Sequence, residues 1–208
     1  MGYYFQLLRW NKPSGRLILL IPAGWSLWLA PQAPPSLFIL GLMVLGGLLV
    51  SGAGCIANDI WDRQFDKKVI RTKERPLANG KVSLKAALIL LTIMLFFSLF
   101  IVLSIPQESR KLCLLLSSLS LPFILLYPSA KRWFQYPQLI LSICWGFSVL
   151  IPWAASESSL AGGVTLVFCW FATIFWTFGF DTVYAMADEI EDKEIGLNSS
   201  AISLGRNS

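Results

Sequence analysis

The chain has 208 residues, of which 55% are hydrophobic and only 14% charged, with a mean hydropathy of +0.63; this balance excludes an ordinary soluble globular domain and reads as an integral membrane protein. It contains no histidine, which excludes His-based triads, His metal ligands and His proton shuttles and leaves such chemistry to carboxylates, lysine, tyrosine or backbone. The net charge of +5 does not indicate nucleic acid, because the basic residues cluster in loops between apolar segments and form no long stripe.

Residues 1–16 are polar and basic, with Arg9, Lys12 and Arg16. The apolar run that follows reads as a first transmembrane span over about 17–34 rather than a signal peptide, since many further apolar segments follow. A second span is expected over 37–57, rich in small residues such as Gly46, Gly47 and Gly54 that let helices approach closely. A third covers 84–105. The fourth, Leu112–Tyr127, contains Pro122 and reaches only about 24 Å at ~1.5 Å per residue, short of a ~30 Å hydrocarbon core unless it extends. The fifth and sixth spans fall at 139–155 and 164–180. The expected fold is therefore all-α, a multi-span transmembrane helical bundle forming a single domain over 1–208.

Cys55, Cys113, Cys144 and Cys169 all lie in apolar stretches without the short paired spacings of zinc or redox sites, and read as buried thiols. The nine tryptophans suit interfacial anchoring and packing between helices. An even number of spans places the N-terminus, the 58–83 and 128–138 loops and the C-terminus on one side. All 17 basic residues except Arg110 and Lys111 fall there, so that side is expected to be cytoplasmic.

Two acidic stretches end apolar segments on that side. In the first, Asn58-Asp59-Ile60-Trp61-Asp62-Arg63-Gln64-Phe65-Asp66, continued helix would put Asp59, Asp62 and Asp66 on one face. Like charges so placed repel unless a cation neutralises them, and hard divalent cations such as Mg²⁺ take carboxylate oxygens. In the second, Asp181, Tyr184, Asp188 and Asp192 would likewise share a helical face. Neither stretch has the closely spaced oxygens and central glycine of a calcium loop. Two such clusters facing one another can hold Mg²⁺, which in turn binds diphosphate oxygens. Arg71, Lys73 and Arg75 are placed to pair with phosphate oxygens, whereas Lys67, Lys68 and Lys81 read as ordinary anchors. A diphosphate at the mouth of an apolar bundle implies a lipid tail running into the bilayer.

Asn58–Asp66 resembles the N-D-x-x-D-x-x-x-D motif of the UbiA superfamily of intramembrane aromatic prenyltransferases, and Tyr184, Asp188 and Asp192 match its Y-x-x-x-D-x-x-x-D motif. Arg71-Thr72-x-x-Arg75-Pro76-Leu77-x-x-Gly80, Asp181-Thr182-x-Tyr184-Ala185-Met186, Lys12-Pro13-x-Gly15 and Tyr127-Pro128-x-x-Lys131-Arg132 are most similar to the 4-hydroxybenzoate polyprenyltransferases. Where such proteins commonly read I-G-x-K-S-T-A, this chain has Ile195-Gly196-Leu197-Asn198-Ser199-Ser200-Ala201. The resemblance implies nine helices, so the last three are expected to be missing from this chain.

The resemblance further implies Mg²⁺-dependent transfer of a polyprenyl group from polyprenyl diphosphate to the carbon ortho to the phenol of 4-hydroxybenzoate, in ubiquinone or plastoquinone biosynthesis. The metal and catalytic residues would be Asp59, Asp62, Asp66, Asp188 and Asp192. Asn58, Arg71, Arg75, Tyr127, Lys131, Asp181 and Tyr184 would bind substrate, with Tyr127 equally suited to an interfacial belt. The implied setting is an inner (plasma) membrane or an equivalent energy-transducing one. Another UbiA-type enzyme, of the haem O or menaquinone pathway, shares the first motif. A CDP-alcohol phosphatidyltransferase would need D-G-x-x-A-R, which is absent, and a transporter or channel would need ionisable residues within its spans.

Overall fold

The computed structural model describes residues 2–11 and 14–205; the Lys12-Pro13 pair of the N-terminal motif lies outside them. Its helices are α1 (Gly2–Leu7), α2 (Ser14–Leu29), α3 (Leu37–Asp62), α4 (Leu84–Leu103), α5 (Gln107–Leu126), α6 (Pro137–Glu157), α7 (Gly163–Ala185), α8 (Glu189–Glu194) and α9 (Ser200–Leu204), with 3₁₀ turns at Tyr127–Arg132 and Met186–Asp188. Among the described residues there is no strand. Local chemistry sets several of these ends. Ser36 and Ser83 cap α3 and α4 by accepting from the backbone N–H of Ile39 and Ala86, which satisfies one orphan donor at each helix start. Pro137 opens α6 where its missing N–H costs nothing.

Among the described residues five helical segments are long and apolar enough to cross a membrane: Leu37–Asp62, Leu84–Leu103, Gln107–Arg132, Pro137–Glu157 and Gly163–Glu194. The first expected span is the exception. Its apolar helix covers only Leu17–Leu29, about 20 Å at ~1.5 Å per residue, and ends well before residue 34. The fourth span is longer than expected. Helix α5 begins at Gln107 and runs through the 3₁₀ turn to Arg132, 26 residues in all, because Glu108, Arg110 and Lys111 belong to its first turns rather than to a loop. Helix α4 exposes Phe96, Phe97 and Phe100, and α7 exposes Phe168 and Phe175, apolar faces whose natural solvent is hydrocarbon. The chain is an integral membrane protein.

Helix α6 is the hub, packed on α2, α5 and α7, while α3 pairs with α4. A Cβ on Gly146 would lie 2.5 Å from Nε1 of Trp170, so the absent side chain is what lets α6 and α7 approach. At one end of the bundle, Leu27, Leu42, Ile105, Cys113 and Ala154 form a buried cluster. There Gln32 N donates to Glu157 Oε1 at 3.0 Å and the Ser109 hydroxyl to Ala155 O at 3.1 Å. The other end gathers α1, the 63–83 connection, the Tyr127–Arg132 turn and the α8–α9 region. A second core, including Leu7, Leu8, Ala53, Ile56, Leu77 and Val82, closes under the connection there.

Candidate active site

Helix α3 does not stop at Ala57 but continues to Asp62, and Asp66 N still donates to Asp62 O at 2.8 Å. One more helical turn therefore carries the acidic stretch. It turns all three carboxylates inward: Asp59, Asp62 and Asp66 are 1%, 4% and 5% exposed. Charges so buried need partners, and each has one. Arg9 forks onto Asp59 with contacts of 2.6 and 3.2 Å. Nη1 of Arg75 stands 2.8 Å from Oδ2 of Asp66 and 3.3 Å from Oδ1 of Asp59, bridging the two. Arg132 and Lys131 reach the two oxygens of Asp62 at 3.1 and 3.5 Å.

The second stretch is not one unbroken helix. The 3₁₀ turn Met186–Asp188 separates α7 from α8, and Asp188 leaves helical dihedrals at φ −112°, ψ 8°, so Asp192 does not continue the α-helical face of Asp181. The two stretches nonetheless meet. Arg71 donates from Nε to Oδ1 of Asp188 at 2.8 Å, from Nη2 to Oδ2 of the same carboxylate, and from Nη1 to the Tyr184 hydroxyl at 3.0 Å. Its guanidinium carbon also lies 5.3 Å from the Tyr184 ring centroid. A polar niche of about 30 Å³ is lined by Asp62, Asp66, Asp188 and Asp192 together with Arg71, Arg75 and Lys131. Lys73, Lys67 and Lys68 are exposed and make no ion pair among the described residues.

The electrostatics follow from this crowding. Burial raises the Asp66 carboxyl above its ordinary range, with Arg75 pulling it down and Asp62 and Asp59 pushing it up. The Arg71 guanidinium is held more firmly protonated than usual, chiefly by its hydrogen bonds to Asp188. For Arg9 burial works against the charge, and Asp59 outweighs it.

Beneath the mouth opens a cavity of about 840 Å³, within the range of small-molecule sites. Asn58, Tyr127, Lys131, Asp181, Tyr184, Asp188 and Asp192 line it at the polar end. The Tyr127 hydroxyl reaches Oδ1 of Asn58 at 3.4 Å. Helix α3 then supplies Gly54, Val50, Gly46 and Leu42 at four-residue steps, one face running about 24 Å from Asn58 at ~1.5 Å per residue. Leu95, Leu99, Ile101, Ile124 and Phe147 complete an apolar wall. A charged mouth thus leads directly into a greasy groove.

The carboxylates are all-oxygen, acceptor-only ligands of the kind Mg²⁺ takes, and the niche between the two stretches has room for a small cation or a water. Among the described residues no three of these acids converge on one point. A guanidinium nitrogen of Arg75 stands between two of these carboxylates, Asp59 and Asp66. In donor chemistry alone the set suits the ion.

The UbiA prenyltransferase family matches residues 19–208. The chain belongs to this family. It is 48% identical to the 4-hydroxybenzoate solanesyltransferase of Synechocystis sp. over 200 residues, covering 96% of this chain and 66% of that protein. It is 40% identical to the 4-hydroxybenzoate octaprenyltransferase of Legionella pneumophila over 199 residues, 96% of this chain and 68% of that one. The chain thus spans about two thirds of the length of these UbiA relatives. Among solved structures, a UbiA homologue from Aeropyrum pernix K1 superposes with a TM-score of 0.73 at 28% identity, covering 98% of this chain and 70% of that one. One from Archaeoglobus fulgidus, solved with GPP and Mg²⁺, gives a TM-score of 0.74 at 20% identity over 98% of this chain and 69% of that one, a likeness of fold.

Three residues of the site carried no assigned role in the sequence: Arg9, Arg132 and Gln138. Arg132 was legible only as the neighbour of Lys131; its guanidinium also donates to Trp61 O at 2.7 Å and lies 4.7 Å from the Phe65 ring centroid.

Proposed function

We infer that this chain carries the catalytic face of a 4-hydroxybenzoate polyprenyltransferase. The observation that supports this best is the continuity between a mouth of paired carboxylates and arginines and an apolar groove about 24 Å long. A diphosphate needs the first and a polyprenyl tail the second. The relatives named 4-hydroxybenzoate solanesyl- and octaprenyltransferase support the aromatic acceptor.

In this reading Asp59, Asp62, Asp66, Asp188 and Asp192 hold Mg²⁺, which when bound neutralises the charge developing on a departing diphosphate. Arg71 and Arg75 leave their carboxylates and fork onto phosphate oxygens, contacts that strengthen as the allylic C–O bond breaks and its electron pair goes to the diphosphate. The apolar wall keeps water from the allylic cation. The ring faces of Tyr184 and Tyr127 stabilise positive charge near the mouth. Asn58, Lys131 and Asp181 orient the acceptor so that the carbon ortho to its phenol attacks, after which loss of the ring proton restores aromaticity. The shared end of the bundle that carries the basic residues faces the cytoplasm, in an inner (plasma) or equivalent energy-transducing membrane.

The test is to incubate membranes containing this chain with labelled 4-hydroxybenzoate, Mg²⁺ and prenyl diphosphates of several lengths. Prenylated 4-hydroxybenzoate is the expected product. Its absence at every length, with the chain present in the membrane, would sink the assignment.

A further inference from the structure

Gln138 is the second residue of α6 and is 3% exposed. Its Oε1 accepts from Ser200 N at 2.8 Å. Because that partner is a backbone N–H, the atom facing it must be the amide oxygen, and the orientation of the side chain is fixed by chemistry. The two N–H groups of Nε2 are accepted by no described residue. Gln138 lines the same cavity as Asn58, Lys131 and Asp181. A buried amide with its oxygen pinned and its donors unused is prepared for a ligand acceptor atom.

The clamp that holds it also holds Lys131. Asn198 N donates to the Lys131 carbonyl at 2.8 Å. Two residues on, Ser200 grips Gln138 through its N–H and bonds the Thr182 hydroxyl at 2.6 Å through its own. The segment after the second acidic stretch thus holds both the Gln138 side chain and the Lys131 backbone, and both residues line the cavity. The forks of Arg71 and Arg75 suit a diphosphate. A carboxylate has two acceptor oxygens, which an ammonium group and a directional neutral donor can receive together.

Resting on the functional reading above, we propose that Gln138 is a specificity-determining residue whose amide donates to the carboxylate of the aromatic acid acceptor. The test compares wild type with Gln138→Glu, which keeps the length and the oxygen for Ser200 N but exchanges the donors for negative charge, and with Gln138→Met, which lacks the donors without adding charge. KM for the prenyl diphosphate and both KM and equilibrium binding for labelled 4-hydroxybenzoate are measured. Gln138→Glu raises KM for the acid about tenfold or more, with a smaller rise in Gln138→Met and no change for the prenyl diphosphate. The neutral methyl ester, used as a second acceptor, is less sensitive to the Glu substitution than the acid, because only the acid meets charge repulsion there. A wild-type KM for the acid in either variant, or a parallel rise for the prenyl diphosphate, overturns this role while leaving the function intact. A wild-type chain that neither binds nor prenylates the acid overturns both.

Discussion

Arg71 and Asp188, 117 residues apart in sequence, are joined by a two-pronged guanidinium–carboxylate contact, with the third nitrogen of Arg71 on the Tyr184 hydroxyl. One side chain from the connection after α3 therefore ties that connection to the second acidic stretch. The same fork that closes this contact is shaped for phosphate, so under the proposed function a diphosphate in the niche would compete with Asp188 for Arg71.

Lysine in place of Arg71 keeps the charge and loses the fork. Because the Arg71 side chain is 42% exposed, its ion pair contributes little to stability. Arg71→Lys is expected to leave the melting temperature in detergent unchanged and to raise KM for the prenyl diphosphate by about tenfold. A wild-type KM in this variant would remove Arg71 from the substrate site.

The two acidic stretches are expected to be individually indispensable. Asp62→Asn and Asp188→Asn each keep the side-chain volume and remove one anionic oxygen ligand, and each should lower prenyl transfer by at least about 100-fold with protein level unchanged. Near-normal turnover of either at saturating Mg²⁺ would contradict a site shared between the stretches.

How much of this was legible in the sequence divides by distance along the chain. The spacing of Asp59, Asp62 and Asp66 against a helical repeat put three acids on one face, and the structure buries that face. The spacing of Asp181 to Asp192 carried the same message, but it presumed one helix where a 3₁₀ turn intervenes, a change of winding that leaves no periodic trace. The start of α5 was hidden because Gln107–Lys111 is polar, and polarity at a membrane boundary reads as loop. Arg9 was invisible for a stronger reason. It meets Asp59 across 50 residues, from a backbone at φ 58° that L-residues rarely adopt, and no local pattern encodes such a contact. Gln138 was missed because its role depends on which of its atoms Ser200 has already taken.

Removal of divalent metal is expected to stop prenyl transfer reversibly, activity returning on addition of excess Mg²⁺. Activity that persists in excess chelator would take the metal out of the reaction.

The close approach of α6 and α7 gives a prediction independent of catalysis. A Cβ at Gly146 would sit 2.5 Å from Trp170 Nε1 and 3.2 Å from Cδ1, whereas one at Gly179 would meet nothing within 4 Å. Gly146→Ala should destabilise by about 1–3 kcal/mol. Gly179→Ala, in open space within a helix, should be neutral or stabilising by up to ~1 kcal/mol. Thermal unfolding in detergent checks the pair, and equal effects at the two positions would contradict the packing.

Arg75 offers the sharpest separation of fold from chemistry. Its Nη1 bridges Asp59 and Asp66, whose side chains are 0% and 8% exposed. In Arg75→Met, Asp59 retains Arg9 while Asp66 loses its guanidinium in a buried setting. Breaking a buried pair from one side costs on the order of 3–5 kcal/mol, and the partial exposure of Arg75, 19%, places this case toward the lower figure. The lost positive charge is replaceable, however, by any cation that fits between two carboxylates. If Mg²⁺ binds there, it must displace Arg75 in the wild type but finds the position vacated in the variant. Ligand that binds the folded state alone raises its stability with concentration, so Mg²⁺ should raise the melting temperature of Arg75→Met more than that of the wild type. Turnover should remain low in the variant, because the fork for the diphosphate is gone. A variant whose melting temperature ignores Mg²⁺ would mean that these two carboxylates are partners of arginine alone.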